Sequence, residues 1–414
     1  MSLSEELAWR GFINQTTLSD VKELDSKKFS FYWGVDPSAD SMTVGHLAMA
    51  MMVKHFIDYG HQAWLLVGGA TGLIGDPDGK SEERKLLSRE VLNNNKKAIA
   101  KQYKQLFSNK MIRIVDNYDW FKDYKFIDFL RDVGKRVPMR QMLSREFVQS
   151  RLDESGNGIS YAEFSYVLIQ AYDFLNLYQN HGVTMQVCGS DQWGNSVAGV
   201  DLIRRVTGGR AEVWSGPLII NPKTGIKYGK TESGAVWLDP KKTSTMSFYQ
   251  FWVNADDEVV EHYLKIFTLL SREEINEVIN KHKANPQLRI AQSQLAYSVT
   301  EFVHGKEAAL RAKRLSEILV GKLSLAQAQV SDILALKNEL NVTKSKINGS
   351  IVTALVSSGL ASSNTEARQL LSGGSIYINH MKVKRDNFIK EDFTKNSLIL
   401  RRGKAYKDSV LVEL

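Results

Sequence analysis

Residues 29–67 read FSFYWGVDPSADSMTVGHLAMAMMVKHFIDYGHQAWLLV, and this stretch decides the fold. Phe29–Val35 has the aromatic and β-branched composition of a strand. Val44, Leu47, Ala48, Met51, His55 and Tyr59 then fall at helical spacing, and Gly60 stops the run. A second strand, Gln62–Val67, leads into GGATGLIGD. Strand, helix, strand is a βαβ unit, which predicts an α/β fold with a parallel sheet and a ligand at the C-terminal ends of its strands. Further strand and helix patterns follow at 111–115, 121–133, 162–178, 184–188 and 192–205.

Beyond this region the pattern changes. From Ser244 to about Leu319 it is almost purely helical, and residues 320–349, with no firm period, read as a connector. A fresh pattern begins at Ser350, where Ile351, Ala354 and Leu355 keep helical spacing up to Gly359. Ser363 and Glu366 form an S-x-x-E capping box for a second short helix ending at Gly373 and Gly374. Alternating Ile376 and Ile378, then Leu398, Leu400, Val410 and Val412, predict small strands. Two helices and a basic hairpin make a plausible RNA-binding appendage.

The chain has 414 residues, room for two or three domains. Hydrophobic residues make up 43% and charged residues 24%, an ordinary globular composition. One cysteine, Cys188, forms no intrachain disulfide and no cysteine-based zinc site, which fits a reducing compartment. The start, MSLSEELAWRG, lacks the basic and apolar regions of a secretory signal and carries acidic residues that a transit peptide avoids. The stretch from Ala63 to Ile74 is too short and glycine-broken to span a membrane. A cytoplasmic protein is therefore expected. The net charge of +8 is informative through its distribution. Residues 80–113 hold ten Lys and Arg against three Glu, and residues 351–414 hold ten against six acidic residues.

Four constellations carry chemistry. In GVDPSADSMTVGHL (34–47), Asp36, Pro37 and Ser38 make a turn, Gly45 opens a helix, and His46 points at whatever binds the helix N-terminus, where phosphate or ribose is favoured. Taken alone, the segment also reads as a plain capped helix. In GGATGLIGDPDGKSEER (68–84), the GKS end suggests a P-loop, but Ile74 stands where its first glycine is required. What remains is a Gly-rich loop leading to Lys80 and Arg84, a cationic flap over phosphates. AEFSYVLIQAYDFLNLY (162–178) is apolar nearly all round, yet Tyr166, Gln170 and Asp173 share one face. Buried polar groups need partners, supplied by a structural network or a polar ligand. Asp173 would accept from a ligand hydroxyl, and Gln170 and Tyr166 suit an ammonium. Finally, CGSDQWGN (188–195) puts a turn at a strand end, and IKYGKTESG (226–234) puts Lys227 and Lys230 on a loop suited to clamping a polyphosphate.

GGATGLIGDP, EFSY…QAYDFL, GSDQWGN and KYGKTESG, in this order, resemble the bacterial-type tyrosyl-tRNA synthetases, a family of class I aminoacyl-tRNA synthetases. The resemblance runs from LAWRGFINQTT to RRGK and is weakest between 306 and 349. It implies a Rossmann-type catalytic domain over 1–240 with a connective insertion at about 116–160, a helical domain over 241–319, and, after the 320–349 linker, an S4-like RNA-binding domain over 350–414. It implies a homodimer acting on L-tyrosine, ATP with Mg²⁺, and tRNA(Tyr), with no tightly bound cofactor and no zinc. By matching motif, Tyr32 and Asp173 should bond the phenol hydroxyl, Asp76, Tyr166 and Gln170 the ammonium, and Gln192 should lie near the carboxylate. Asp36, Ser38, Gly45, His46 and Asp191 fall on the ATP side. Lys80, Arg84, Lys227, Lys230 and Thr231 should gather round the leaving pyrophosphate. Lys382, Lys384, Arg385, Arg401, Arg402 and Lys404 should meet tRNA phosphates, so that deleting 350–414 spares adenylate formation and impairs charging.

Two departures stand out. The HIGH motif reads TVGH, with Thr43 in place of its first histidine. A threonine hydroxyl still bonds a phosphate oxygen but carries no charge, which predicts slower activation than a Thr43→His variant. Trp33 is bulkier than the residue expected beside the ribose. The competing readings are a tryptophanyl relative, disfavoured because indole has no hydroxyl for Tyr32 and Asp173, and a non-catalytic RNA-binding protein on the same scaffold.

Overall fold

The computed structural model describes the chain except residues 77–85, 108–110, 144–147, 150–151, 153–157, 221–229, 232–233 and 404–407, and the side chains of Gln141, Lys230 and Thr231. The chain forms two compact units, residues 1–242 with 258–279, and residues 243–257 with 280–414.

The first unit is built on six strands: β1 (Gln15–Thr16), β2 (Ser30–Val35), β3 (Gln62–Val67), β4 (Ile112–Asp116), β5 (Met185–Gly189) and β6 (Glu212–Gly216). Their spatial order is β1-β6-β5-β2-β3-β4. All neighbours are parallel except β1, which runs antiparallel to β6. The sheet grows one way from β2 to β4 and the other way from β5 to β6. That reversal opens a crevice beyond the C-terminal ends of β2 and β5, where ligands bind in such sheets.

Helix α1 (Val44–Asp58) carries the chain from β2 to β3 and buries residues all round, among them Leu47, Met51, Met52 and Phe56. The short α2 (Thr71–Ile74) follows β3, and α3 (Arg89–Leu106) precedes β4. Helix α4 (Tyr161–His181) starts in a reciprocal capping box between Ser160 and Glu163 and ends at Gly182 in the left-handed region. It lies along α5 (Trp193–Thr207) so closely that a Cβ on Gly199 would stand 2.9 Å from the Phe174 ring. A two-stranded ribbon, β7 (Lys230–Thr231) with β8 (Gly234–Ala235), completes the unit with helix Val260–Phe267.

Residues 258–279 therefore pack with the sheet rather than with the helical stretch around them in sequence. The cause is Arg10, 2% exposed, whose guanidinium donates to the carbonyls of Lys265, Thr268 and Leu270 while pairing with Glu6. Burying a guanidinium requires such complete pairing.

In the second unit, α6 (Thr245–Val253), α7 (Ile290–His304) and α8 (Lys306–Leu319) pack together, and Gln250 donates to Ser316 at their interface. The segment expected as a connector holds α9 (Val330–Glu339) and β9 (Asn341–Lys344). Strand β9 is the parallel edge strand of a five-stranded sheet ordered β11-β10-β12-β13-β9, with β10 (Ile376–Ile378), β11 (Met381–Val383), β12 (Ser397–Arg402) and β13 (Ser409–Glu413). Both faces of β12 and β13 are buried. Leu398, Leu400, Val410 and Val412 meet α10 (Ile351–Ser357) and α11 (Asn364–Ser372), while Ile399 and Leu411 join Ile318, Leu319 and Leu336 of α8 and α9. The helical segments and the C-terminal sheet thus share one core. The box at Ser363 is half formed: Ser363 accepts from the Glu366 N–H, but the Glu366 carboxylate turns to Ser362.

Candidate active site

At the crevice lies a cavity of about 360 Å³. It is lined by Tyr32, Asp36, Ser38, Thr43, Gly45, His46, Asp76, Tyr166, Gln170, Asp173, Asp191 and Gln192, so these side chains from four separate segments meet in one place. Lys80, Arg84 and Lys227 lie outside the described residues, and Lys230 and Thr231 are described only as backbone of β7.

The deep end is set by β2 and α4. Tyr32 and Asp173 are each 2% exposed. Asp173 accepts from Trp120 Nε1 at 2.9 Å and Asn117 Nδ2 at 3.1 Å. Burial nevertheless pushes its carboxyl up to about 8, against the lowering effect of those two bonds. Burial and the neighbouring Asp173 also raise the Tyr32 phenol, which therefore keeps its proton. Tyr32 Oη, Gln170 Oε1 and Gln186 Oε1 are buried without a hydrogen-bond partner. Three orphaned polar atoms around one cavity are unusual, because native interiors leave few such groups unpaired.

In the middle, Tyr166 Oη donates to Asp36 Oδ2 at 2.9 Å, and Thr71 Oγ1 donates to Asp36 Oδ1 at 2.6 Å. Gln192 Nε2 donates to Asp76 Oδ2 at 2.6 Å and Gln192 Oε1 accepts from Asn195. Gly68 and Gly69 make this possible by close approach. A Cβ on Gly68 would sit 2.0 Å from Asp36 Oδ1, and one on Gly69 would sit 2.1 Å from Asp116 Oδ1. The described start of the Gly-rich stretch is thus a packed floor, and the flap expected around Lys80 and Arg84 lies outside the described residues.

The outer end is the N-terminus of α1. Thr43 is its N-cap residue, and both its N–H and its hydroxyl face His46 Nδ1, at 3.1 and 3.0 Å. His46 Nδ1 thus supplies the acceptor that a backbone N–H at a helix start needs. Burial lowers the His46 imidazole to about 4, Asp191 opposing. Trp33 turns its ring edge-on to Tyr103 and Phe107, at 5.4 and 6.3 Å between centroids, while still lining the cavity.

Asn117, Trp120, Thr71 and Gln186 escape the sequence reading. The signal available for Asn117 is its place directly after β4, at a strand C-terminal end.

In the C-terminal sheet, Arg401 lies over Tyr377 and donates to the Leu319 carbonyl, and Arg402 pairs with Glu366 and the Leu360 carbonyl. Arg385 pairs with Asp392. Lys382 and Lys384 have no hydrogen bond or ion pair among the described residues, and Lys404 is not described. Lys384 shares a hollow of about 390 Å³ with Arg368, a basic residue the sequence reading did not single out.

A reversed parallel sheet with a helix N-terminus and a polar cavity at its switch point is the arrangement of a nucleotide-using α/β enzyme. The sequence model for class I tRNA synthetases (W and Y) matches residues 24–321, and the chain belongs to that family. Within it the chain is a member of the tyrosine–tRNA ligase branch, since residues 332–408 match the tyrosine–tRNA ligase SYY-like C-terminal domain. It is 44% identical to the tyrosine–tRNA ligase of Rhodopirellula baltica, over 97% of this chain and 94% of that one. It is 43% identical to tyrosine–tRNA ligase 2 of Bacillus cereus over the whole of both. Among solved structures, a C-terminally truncated mitochondrial tyrosyl-tRNA synthetase of Aspergillus nidulans superposes with a TM-score of 0.69 at 31% identity, covering 76% of this chain and 93% of that one. A tryptophanyl-tRNA synthetase of Encephalitozoon cuniculi reaches 0.54 at 15% identity over 75% and 89%, a likeness of fold alone.

Proposed function

We propose that this protein joins L-tyrosine to tRNA(Tyr) in two steps. The tyrosine carboxylate attacks the α-phosphorus of ATP, forming tyrosyl-adenylate and expelling pyrophosphate. A ribose hydroxyl of the terminal tRNA adenosine then attacks the acyl carbon, taking the tyrosyl group and releasing AMP.

The observation that carries this reading is the orphaned Tyr32 hydroxyl beside Asp173 in a closed apolar wall. A phenol fits there as both acceptor and donor: it accepts a hydrogen bond from Tyr32 Oη and donates its own to Asp173. Phenylalanine would leave both unpaired, at a cost of about 1–3 kcal/mol for each buried polar group. Indole offers no hydroxyl. Gln170, Asp76 and Tyr166 then suit the ammonium, and Gln192 the carboxylate side. Asp36, Ser38, Gly45, His46 and Asp191 face the nucleotide. Lys80, Arg84, Lys227, Lys230 and Thr231 remain our assignment for the pyrophosphate. No side chain forms a covalent intermediate; the residues orient the reactants and stabilise developing charge.

Mg²⁺ accompanies ATP on its phosphates, where it neutralises charge. We assign the ion to the nucleotide's phosphates rather than to side chains of this protein. For tRNA we assign Lys382 on edge strand β11, Lys384 directly after it, and Arg368 of α11, which shares a hollow with Lys384, with Arg385, Arg401, Arg402 and Lys404 in supporting places. We further propose a homodimer. Phe126 and Ile127, 62% and 71% exposed on helix Phe126–Asp132, and Met139 on the next α-helix, need cover that the described residues do not supply. A cytoplasmic site of action accords with these substrates, and no helix of the described residues is long and apolar enough to cross a membrane.

The test is amino-acid-dependent ATP–pyrophosphate exchange without tRNA, offering tyrosine, phenylalanine and tryptophan separately. Exchange with tyrosine alone is expected. Exchange with tryptophan would overturn the pocket reading, and none from a folded, RNA-binding protein would favour a non-catalytic scaffold.

A further inference from the structure

We propose that Thr71 is a positioning residue for the activation reaction, locking the Asp36 carboxylate at the nucleotide end of the cavity and tying it through Asn117 to Asp173 at the phenol end. This rests on the reading of the cavity given above.

The direction of every bond in this chain is determined. The Ala70 backbone N–H can only donate, and it donates to Asn117 Oδ1 at 2.6 Å. That fixes the amide, so its NH₂ group faces Thr71 Oγ1 and Asp173 Oδ2, both at 3.1 Å. Thr71 Oγ1 accepts from Asn117, and its single hydrogen goes to Asp36 Oδ1 at 2.6 Å. Tyr166 Oη holds the other oxygen, Oδ2, at 2.9 Å. The Asp36 carboxylate is therefore gripped on both oxygens and its plane is set. Asn117 is 0% exposed and Thr71 2%, so bulk water has no access to replace either link. The backbone is shaped to the same end, since a Cβ on Gly68 would lie 2.3 Å from Thr71 Oγ1 as well as on Asp36.

The site needs this grip for an electrostatic reason. Asp36, Asp76, Asp173 and Asp191 line one cavity that must also admit a polyanion. A carboxylate there is useful only while it accepts from hydroxyl or ammonium groups. Turned toward phosphate, it repels the substrate. Thr71 and Tyr166 together prevent that turn. Tyr166 belongs to the ammonium side, so Thr71 is the link that answers to the phenol end through Asn117.

Removing the hydroxyl while keeping the shape, Thr71→Val, should raise the ATP KM or lower kcat of tyrosine-dependent exchange by about 10-fold or more, the effect of one lost hydrogen bond to a charged group. Tyrosine binding without ATP, followed by tryptophan fluorescence, should change less than about threefold, because the ligand's direct partners remain. Thr71→Ser should restore most of the loss. If Thr71→Val fails to fold, the pair Thr71→Ser and Thr71→Ala makes the same comparison. The proposal is overturned if the valine variant matches wild type, if serine is as impaired as valine, or if tyrosine binding falls as much as ATP use. Wild-type protein that exchanges with no amino acid would overturn the cavity reading and this proposal together, an outcome distinct from a wild type that works and a valine variant that works equally well.

Discussion

Thr43 presents both its backbone N–H and its hydroxyl to Nδ1 of His46, one turn into helix α1. The N–H can only donate, so Nδ1 is the acceptor and the imidazole proton resides on Nε2. With the ring held neutral, His46 carries its N–H donor on Nε2 in a fixed direction at the cavity, where the proposed function places the nucleotide. Thr43→Ala should keep the backbone bond and lose the hydroxyl and part of the helix cap. Stability should fall by about 1 kcal/mol, and kcat for pyrophosphate exchange should fall by up to about 10-fold, the weight of one neutral hydrogen bond. Thr43→Ser should recover both. Thermal melts and exchange kinetics check this, and an alanine variant with unchanged kcat would remove Thr43 from the site.

Tyr32→Phe should separate stability from recognition. Without ligand the Tyr32 hydroxyl is buried and unpaired, so its removal should leave stability unchanged or raise it by about 1 kcal/mol. The tyrosine KM should meanwhile rise about 10-fold, and the preference for tyrosine over phenylalanine should shrink. Denaturant titration and exchange kinetics on the same preparation decide it. A variant both less stable and fully active would refute the assignment.

Asp173→Asn keeps shape but turns an oxygen that accepts into a nitrogen that donates. Trp120 Nε1 and Asn117 Nδ2 both point at this side chain, so one of them must lose its acceptor. The expected cost is about 1–3 kcal/mol in stability, with loss of most tyrosine-dependent exchange. Calorimetry and exchange assays give the two numbers independently.

The parts of this arrangement that sequence discloses are those written locally. The strand–helix–strand opening, the Ser363 cap, and the face carrying Tyr166, Gln170 and Asp173 all depend on residues within a few positions of each other. The partners of that face do not. Asn117 reaches Asp173 from 56 positions away and Tyr166 reaches Asp36 across 130, distances over which no periodicity speaks. Strand β9 escapes notice for a different reason: Asn341, Val342 and Lys344 are exposed, so a four-residue edge strand carries no buried alternation. Nor does the sequence disclose that the C-terminal arginines have partners within the chain, because charge alone does not say whether it is already paired.

Acid should destabilise the fold through His55 and His61, with His46 of the cavity, lowered to about 4, acting in the same direction. Burial lowers His55 to about 3 and His61 to about 4, from 6.5 in an exposed chain. His61 Nδ1 accepts from the Phe29 N–H, and Nε2 of both rings is buried without a partner. Unfolded chain therefore binds protons that folded chain refuses, and stability falls as pH drops from 6.5 toward 4. Asp173 acts with the opposite sign. Its raised value favours the folded state as pH falls through about 8, so it supports folding on that side and opposes the loss below 6.5, one group against three. Stability governed by these groups should peak near pH 6.5. His55→Leu should flatten the acid limb by about 1.4 kcal/mol per pH unit, read from urea unfolding at several pH values.

The C-terminal sheet requires point variants, because cutting at residue 350 would strip β12 and β13 from β9 and expose the α8 and α9 side of the core. Such a truncation would remove Ile399 and Leu411 from the α8 and α9 side of the core, so lost charging would mix damage there with lost RNA contacts. Lys382 and Lys384 offer a cleaner test, since neither is paired within the described chain. Replacing both with alanine should weaken tRNA binding, lower the slope of log affinity against log salt by about 2, and leave tRNA-independent exchange at the wild-type rate. Arg402→Ala should behave otherwise. It removes partners of Glu366 and of the Leu360 carbonyl, so the loss should appear first as a lower melting temperature, with a smaller change in salt slope than the lysine pair produces. If the arginine variant instead shifted the slope as much as both lysines, its pairing with Glu366 would have to open when RNA binds.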